Sequence, residues 1–121
     1  MGVALLVDDN GRNSDIVEVG GVQGSDSQNN AQAQISITGV AGKSIYLTSV
    51  FASFSAAPAA AESLVITDGT LTYTIYILGT PYPIILPTGL KFTAGATVTI
   101  TLAASGTVGV YGNLVATGLI K

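Results

Sequence analysis

The side-chain chemistry of this 121-residue chain is sparse: four Lys+Arg, seven Asp+Glu, no His, no Cys, and five Tyr. Without imidazole or thiol, His-based acid/base pairs, Cys nucleophiles, haem ligation and the usual zinc sites are excluded. Asp8-Asp9-Asn10-Gly11 has the residue types of a calcium loop. Aligning Gly11 with that loop's glycine puts Leu6 at the first ligand and Val17 at the last, so the spacing fails and a polar turn remains. Glu62 and Asp68 are the only carboxylate side chains after residue 34. A facing pair of carboxylates could hydrolyse a glycoside, but these two flank one hairpin with no aromatic wall, and Asp68-Gly69 reads as its turn. Serines abound without a base. Lys43 and Ser44 are adjacent, so on a strand they point to opposite faces. No glycine set forms a phosphate cradle ahead of a helix. The expectation is a non-enzyme with no catalytic residues, no cofactor and no metal.

Tyr46, Tyr73, Tyr76, Tyr82 and Tyr111 are the candidate sugar-stacking side chains. With no Trp beside them, a packed interface is the better reading. Tyr76, Tyr82 and Tyr111 are expected at subunit contacts, and Tyr73 in the core.

Charge divides the chain. Residues 1–34 hold Asp8, Asp9, Asp15, Glu18, Asp26 and the single Arg, Arg12; residues 35–121 hold Glu62, Asp68, Lys43, Lys91 and Lys121. A hydrophobic share of 48% supplies a core, which excludes disorder along the whole length. The net charge of -3 leaves no basic footprint for nucleic acid. Only 9% of residues are charged, against roughly 25% in typical domains. The mean hydropathy of +0.58 is high for a soluble monomer and points to a surface covered by other protein. The apolar run Val3–Val7 is far shorter than the ~20 residues of a membrane span, and it lacks a basic segment before it. No membrane segment or secretory signal is expected.

The division predicts an N-terminal arm and linker over 1–34 and a β-sandwich domain over 35–121. Val3–Val7 and Ile16–Val19 are short β-prone runs, and Gly20–Gln34 reads as a linker with almost nothing to bury. From Ile35 onward the periodicity is two. In Ala96–Leu102, Val98, Ile100 and Leu102 face one way and the threonines the other. A two-residue turn at Asp68-Gly69 would pair Thr67 with Thr70, Ile66 with Leu71 and Leu64 with Tyr73. Strands are also expected at Ile35–Thr38 and Lys43–Phe54, where Ser49 marks either a bulge or a strand covered on both sides. A short edge strand is expected at Ile84–Leu86 between prolines, and a Gly-punctuated strand region over Thr107–Ile120. Seven or eight short strands and no helical period give an all-β fold, an antiparallel jelly-roll-like β-sandwich with an extended N-terminal arm.

Several segments carry a resemblance: Ile35-Ser36-Ile37, Gly42–Leu47, Leu64–Gly69, Thr97–Leu102 and Gly112–Gly118. Together they resemble the small jelly-roll domains of tailed-bacteriophage virion proteins, among them capsid decoration (cement) proteins, head fibres and tail fibres. The resemblance spans residues 35–121. It implies a virion structural protein on the outer surface of the capsid, bound to the major capsid protein. Apart from the resemblance, the five charged side chains of residues 35–121 favour self-association, as trimer or dimer, and the charge and hydropathy leave no nucleic acid or membrane partner expected. The alternative is a receptor- or glycan-binding tip of a phage head or tail fibre. Arm residues Val3, Leu5, Val7, Asp8, Asp9, Asp15, Val17 and Glu18 are the expected capsid contacts, combining strand addition with acidic registration on a basic shell patch.

Overall fold

The computed structural model describes residues 21–78 and 81–121. They form β1 (Gly21–Asn29), β2 (Ala33–Ile37), β3 (Ile45–Phe54), β4 (Glu62–Thr67), β5 (Thr72–Ile77), β6 (Tyr82–Lys91), β7 (Val98–Leu102) and β8 (Tyr111–Ile120), with no helix among the described residues. One sheet has the order β1-β8-β3-β6 and the other β2-β7-β4-β5, with every pairing antiparallel. The pairs β1–β8, β2–β7, β3–β6 and β4–β5 nest like rungs of one long hairpin that has rolled up. That nesting is the eight-stranded jelly roll.

The core lies between the sheets, and strand alternation builds it. Val98, Ile100 and Leu102 of β7 are buried while Thr99 and Thr101 are half-buried on the outside. In β3 the alternation changes phase: Ile45 and Leu47 face inward, then Val50, Ala52 and Phe54. The register with both neighbours shifts between Leu47 and Ser49, so Thr48 is the extra residue of a bulge that keeps both sets on the core face. Of the two readings of Ser49, the bulge is the one observed. Opposite it, Leu86-Pro87-Thr88-Gly89 loop out of the β6 ladder, with Gly89 at φ +80°, where other residues would be strained. β6 is longer than the expected Ile84–Leu86, but it is an edge strand, which tolerates Pro83 and Pro87.

Three expectations need correction. First, of the linker expected over Gly20–Gln34, the described part, Gly21–Gln34, is not a linker. Gly21–Asn29 pairs residue for residue with β8, from Gly21↔Leu119 to Asn29↔Tyr111, and the 34/35 boundary falls inside β2 between buried Ala33 and Ile35. β1 is an edge strand held by its backbone ladder, so its polar side chains carry no apolar alternation. Second, the β4–β5 loop has four residues, 68–71, giving Thr67↔Thr72, Ile66↔Tyr73 and Leu64↔Ile75. A slip of two residues preserves which face each side chain takes. Third, Tyr73 is inward-facing yet 40% exposed, because β5 is an edge strand, and its ring meets Phe92 edge-on at 6.2 Å.

Close packing also limits side-chain size. A Cβ on Gly118 would lie 2.7 Å from the Tyr46 carbonyl oxygen, so β8 and β3 approach there as only glycine permits.

Candidate interaction surfaces

Glu62 and Asp68 bracket β4, which at ~3.3 Å per residue holds them about 20 Å apart, too far for a glycosidase pair. Asp68 shapes its loop: Oδ1 accepts the Thr70 and Leu71 N–H groups at 2.8 and 2.7 Å, and Oδ2 accepts the Thr93 N–H at 2.8 Å. Those donors, Thr93 foremost, hold its carboxyl well below the usual carboxylate range. Asp26 does comparable work at the β1–β2 corner. Its Oδ2 accepts the Gln34 N–H at 2.9 Å, and its Oδ1 accepts from Gln28 Nε2 at 2.9 Å and from the Ser27 N–H at 3.0 Å. The Gln34 N–H, then Gln28, lowers its pKa. Among the described residues, no group of three His, Cys, Asp or Glu side chains converges.

With these carboxylates engaged at corners and loops, the broad outer faces are left almost free of charge. On the β1-β8-β3-β6 sheet the register aligns the outward row Ser25–Val115–Phe51–Pro83 and, beside it, Gln23–Thr117–Ser49–Ile85. Val115 is 45%, Phe51 43% and Ile85 67% exposed. The Thr117 hydroxyl lies 2.9 Å from that of Thr48 and 2.7 Å from that of Ser49, so the polar border is hydrogen-bonded to itself. Lys91 marks one end of this face, where it pairs with Tyr46, and Lys121 sits over the Tyr46 ring at 4.9 Å. On the opposite sheet the rows are Gln34–Thr101–Val65–Thr74 and Ser36–Thr99–Thr67–Thr72, again without a charged side chain. The surface therefore offers broad, neutral contact areas, one of them with an apolar centre.

The expected subunit-contact tyrosines do not converge. Tyr76 points out from β5 on one sheet, Tyr111 points out from β8 on the other, and Tyr82 pairs with buried Ala52 at the rim of β6. Such dispersal does not make one stacking platform. Val3, Leu5, Val7, Asp8, Asp9, Asp15, Val17 and Glu18 lie outside the described residues. Phe51, Val115 and Ile85 escaped sequence reasoning because one apolar outward residue per strand looks unremarkable until the register aligns them. Asp26 was hidden inside a segment that reads as linker.

Neither a protein-family model nor a curated protein matches the sequence. Among solved structures, the cryo-EM structure of a virus-like particle of the extra small virus of the giant freshwater prawn Macrobrachium rosenbergii is similar over 83% of this chain and 80% of that chain, at 14% identity and a TM-score of 0.33. So loose a likeness carries no functional argument.

Proposed function

We propose that this protein is a non-enzymatic structural protein of a virion, and specifically a capsid decoration (cement) protein on the outer surface of the head shell. The observation that carries the reading is the pair of outer faces almost free of charge, one centred on Phe51, Val115 and Ile85. A free monomer gains nothing from such faces, whereas a subunit packed against other protein buries them without desolvating charges. The resemblance of residues 35–121 to tailed-phage virion jelly rolls supplies the setting.

The mechanism is mechanical. The jelly roll sits against the major capsid protein, and the segment 1–20 adds contacts through Val3, Leu5, Val7 and Val17 and through the acids Asp8, Asp9, Asp15 and Glu18. Binding the assembled shell better than free shell subunits stabilises the shell by mass action. The test is co-sedimentation of the full chain with shells that lack it. Saturable binding accompanied by a higher shell melting temperature is expected. Absence of binding at micromolar concentration overturns the assignment.

A further inference from the structure

Sheet edges offer unpaired backbone groups, and proteins usually block them. Three of the four edges here carry a device. β6 has Pro83, Pro87, the looped-out segment ending at Gly89, and Lys91. β1 and β2 meet at the corner where the Asp26 carboxylate accepts the Gln34 N–H. β5 carries no Lys, no Pro and no bulge; it reads Thr72-Tyr73-Thr74-Ile75-Tyr76-Ile77.

Hydrogen-bond alternation fixes which of its groups face outward. The Asp68 N–H donates to the Leu71 carbonyl, closing the hairpin, and the Ala103 N–H donates to the Ser63 carbonyl, which turns Ser63 toward β7. Antiparallel alternation then makes Ile66–Tyr73, Leu64–Ile75 and Glu62–Ile77 the bonded pairs. The N–H and C=O of Thr72, Thr74 and Tyr76 point away from β4, and among the described residues no strand lies beyond them.

We propose that this edge is a self-association site, at which a second copy of the chain pairs its own β5 antiparallel about a two-fold axis through Thr74. The strand is complementary to itself in that register. Thr74 meets the partner's Thr74 and Thr72 meets the partner's Tyr76, so all outward backbone groups bond one another. On the core side, Tyr73 meets the partner's Ile75 and Leu71 meets the partner's Ile77, which covers the exposed parts of Leu71 and Tyr73. A shift by one residue would set apolar side chains against threonines. No charged side chain on β5 repels its copy. The two β2-β7-β4-β5 sheets become one continuous sheet. This inference rests on the edge geometry and stands whether or not the protein belongs to a virion.

Sedimentation equilibrium of the full chain at micromolar concentration tests it, with Thr74→Pro, Thr74→Lys and Ser36→Lys. The Thr74 N–H faces outward, so proline removes no bond to β4 but blocks pairing. Lysine sets two ammonium groups opposite each other at the axis. Ser36→Lys adds the same charge to the β2 edge. The expected result is an even multiple of the chain mass for wild type and Ser36→Lys, and half of that mass for both Thr74 variants, with unchanged β-type circular dichroism. If proline disturbs folding, the lysine variant decides. A wild-type monomer or trimer overturns the proposal. So does a folded Thr74→Lys protein of wild-type mass, which would place the contact on a sheet face or on the segment 1–20.

Discussion

The Asp68 carboxylate accepts the backbone N–H of Thr93 at 2.8 Å, across 25 positions of sequence. Together with its bonds to Thr70 and Leu71, this makes one exposed side chain the tie between the β4–β5 loop and the β6–β7 loop. Because its folded pKa is lowered, the stability it contributes is complete above the unfolded carboxylate value of about 4 and is lost as pH falls through the folded value. Asp26 acts in the same direction. Thermal unfolding should therefore fall progressively in Tm below about pH 4. Asp68→Asn keeps one acceptor oxygen and loses the other, so it should unfold at lower temperature near neutral pH and lose less on acidification. Parallel wild-type and variant Tm curves would contradict this.

Gly118 tests the closeness of β8 to β3. Gly118→Ala drives a methyl group against the Tyr46 carbonyl, and the strands must separate to admit it. A loss of about 1–3 kcal/mol is expected from urea unfolding, against near zero for exposed Ser25→Ala. Phe92→Ala, which removes the largest fully buried side chain among the described residues, should cost about 3–5 kcal/mol.

Two deletions separate the arm from the fold. Removing residues 1–20 leaves all eight described strands and should preserve the β-type circular dichroism, while weakening shell binding by about tenfold or more if the arm is a contact device. Removing residues 1–30 also takes β1, uncovers the β8 edge and discards the Asp26 tie to Gln34. That protein should unfold at markedly lower denaturant or fail to fold. Equal stability of the two truncations would contradict the structural role of β1.

What the sequence revealed follows from how each strand is stabilised. β7 was readable because it is central in its sheet, and burial on one face imposes strict alternation on Val98, Ile100 and Leu102. The β3 bulge left a trace at Ser49 because the apolar phase changes there. β1 left none: Gly24, Asp26 and Gln28 face inward at an edge, and its stabilisation comes from the backbone ladder. The Asp68 loop length was not legible because one of the bonds that shape it comes from the Thr93 N–H, 25 positions away, while the bond from Leu71 forms only once the loop has four residues. The neutral patch required the register itself, since Phe51, Val115 and Ile85 come from three strands.

That patch yields a direct variant. Phe51→Asp or Val115→Asp adds an exposed charge to the centre of the neutral face without entering the core. Stability should change by less than about 1 kcal/mol, while shell binding should fall by roughly tenfold or more through the buried charge. Unchanged binding would remove this face from the interface.

The most direct measurement for the proposed role is a cryo-EM difference map between native particles that carry the protein and particles made without it. The account predicts discrete densities of jelly-roll size on the outer surface of the head, repeated at equivalent positions of the shell lattice. Density at the end of a fibre, or no difference at the head, would contradict it.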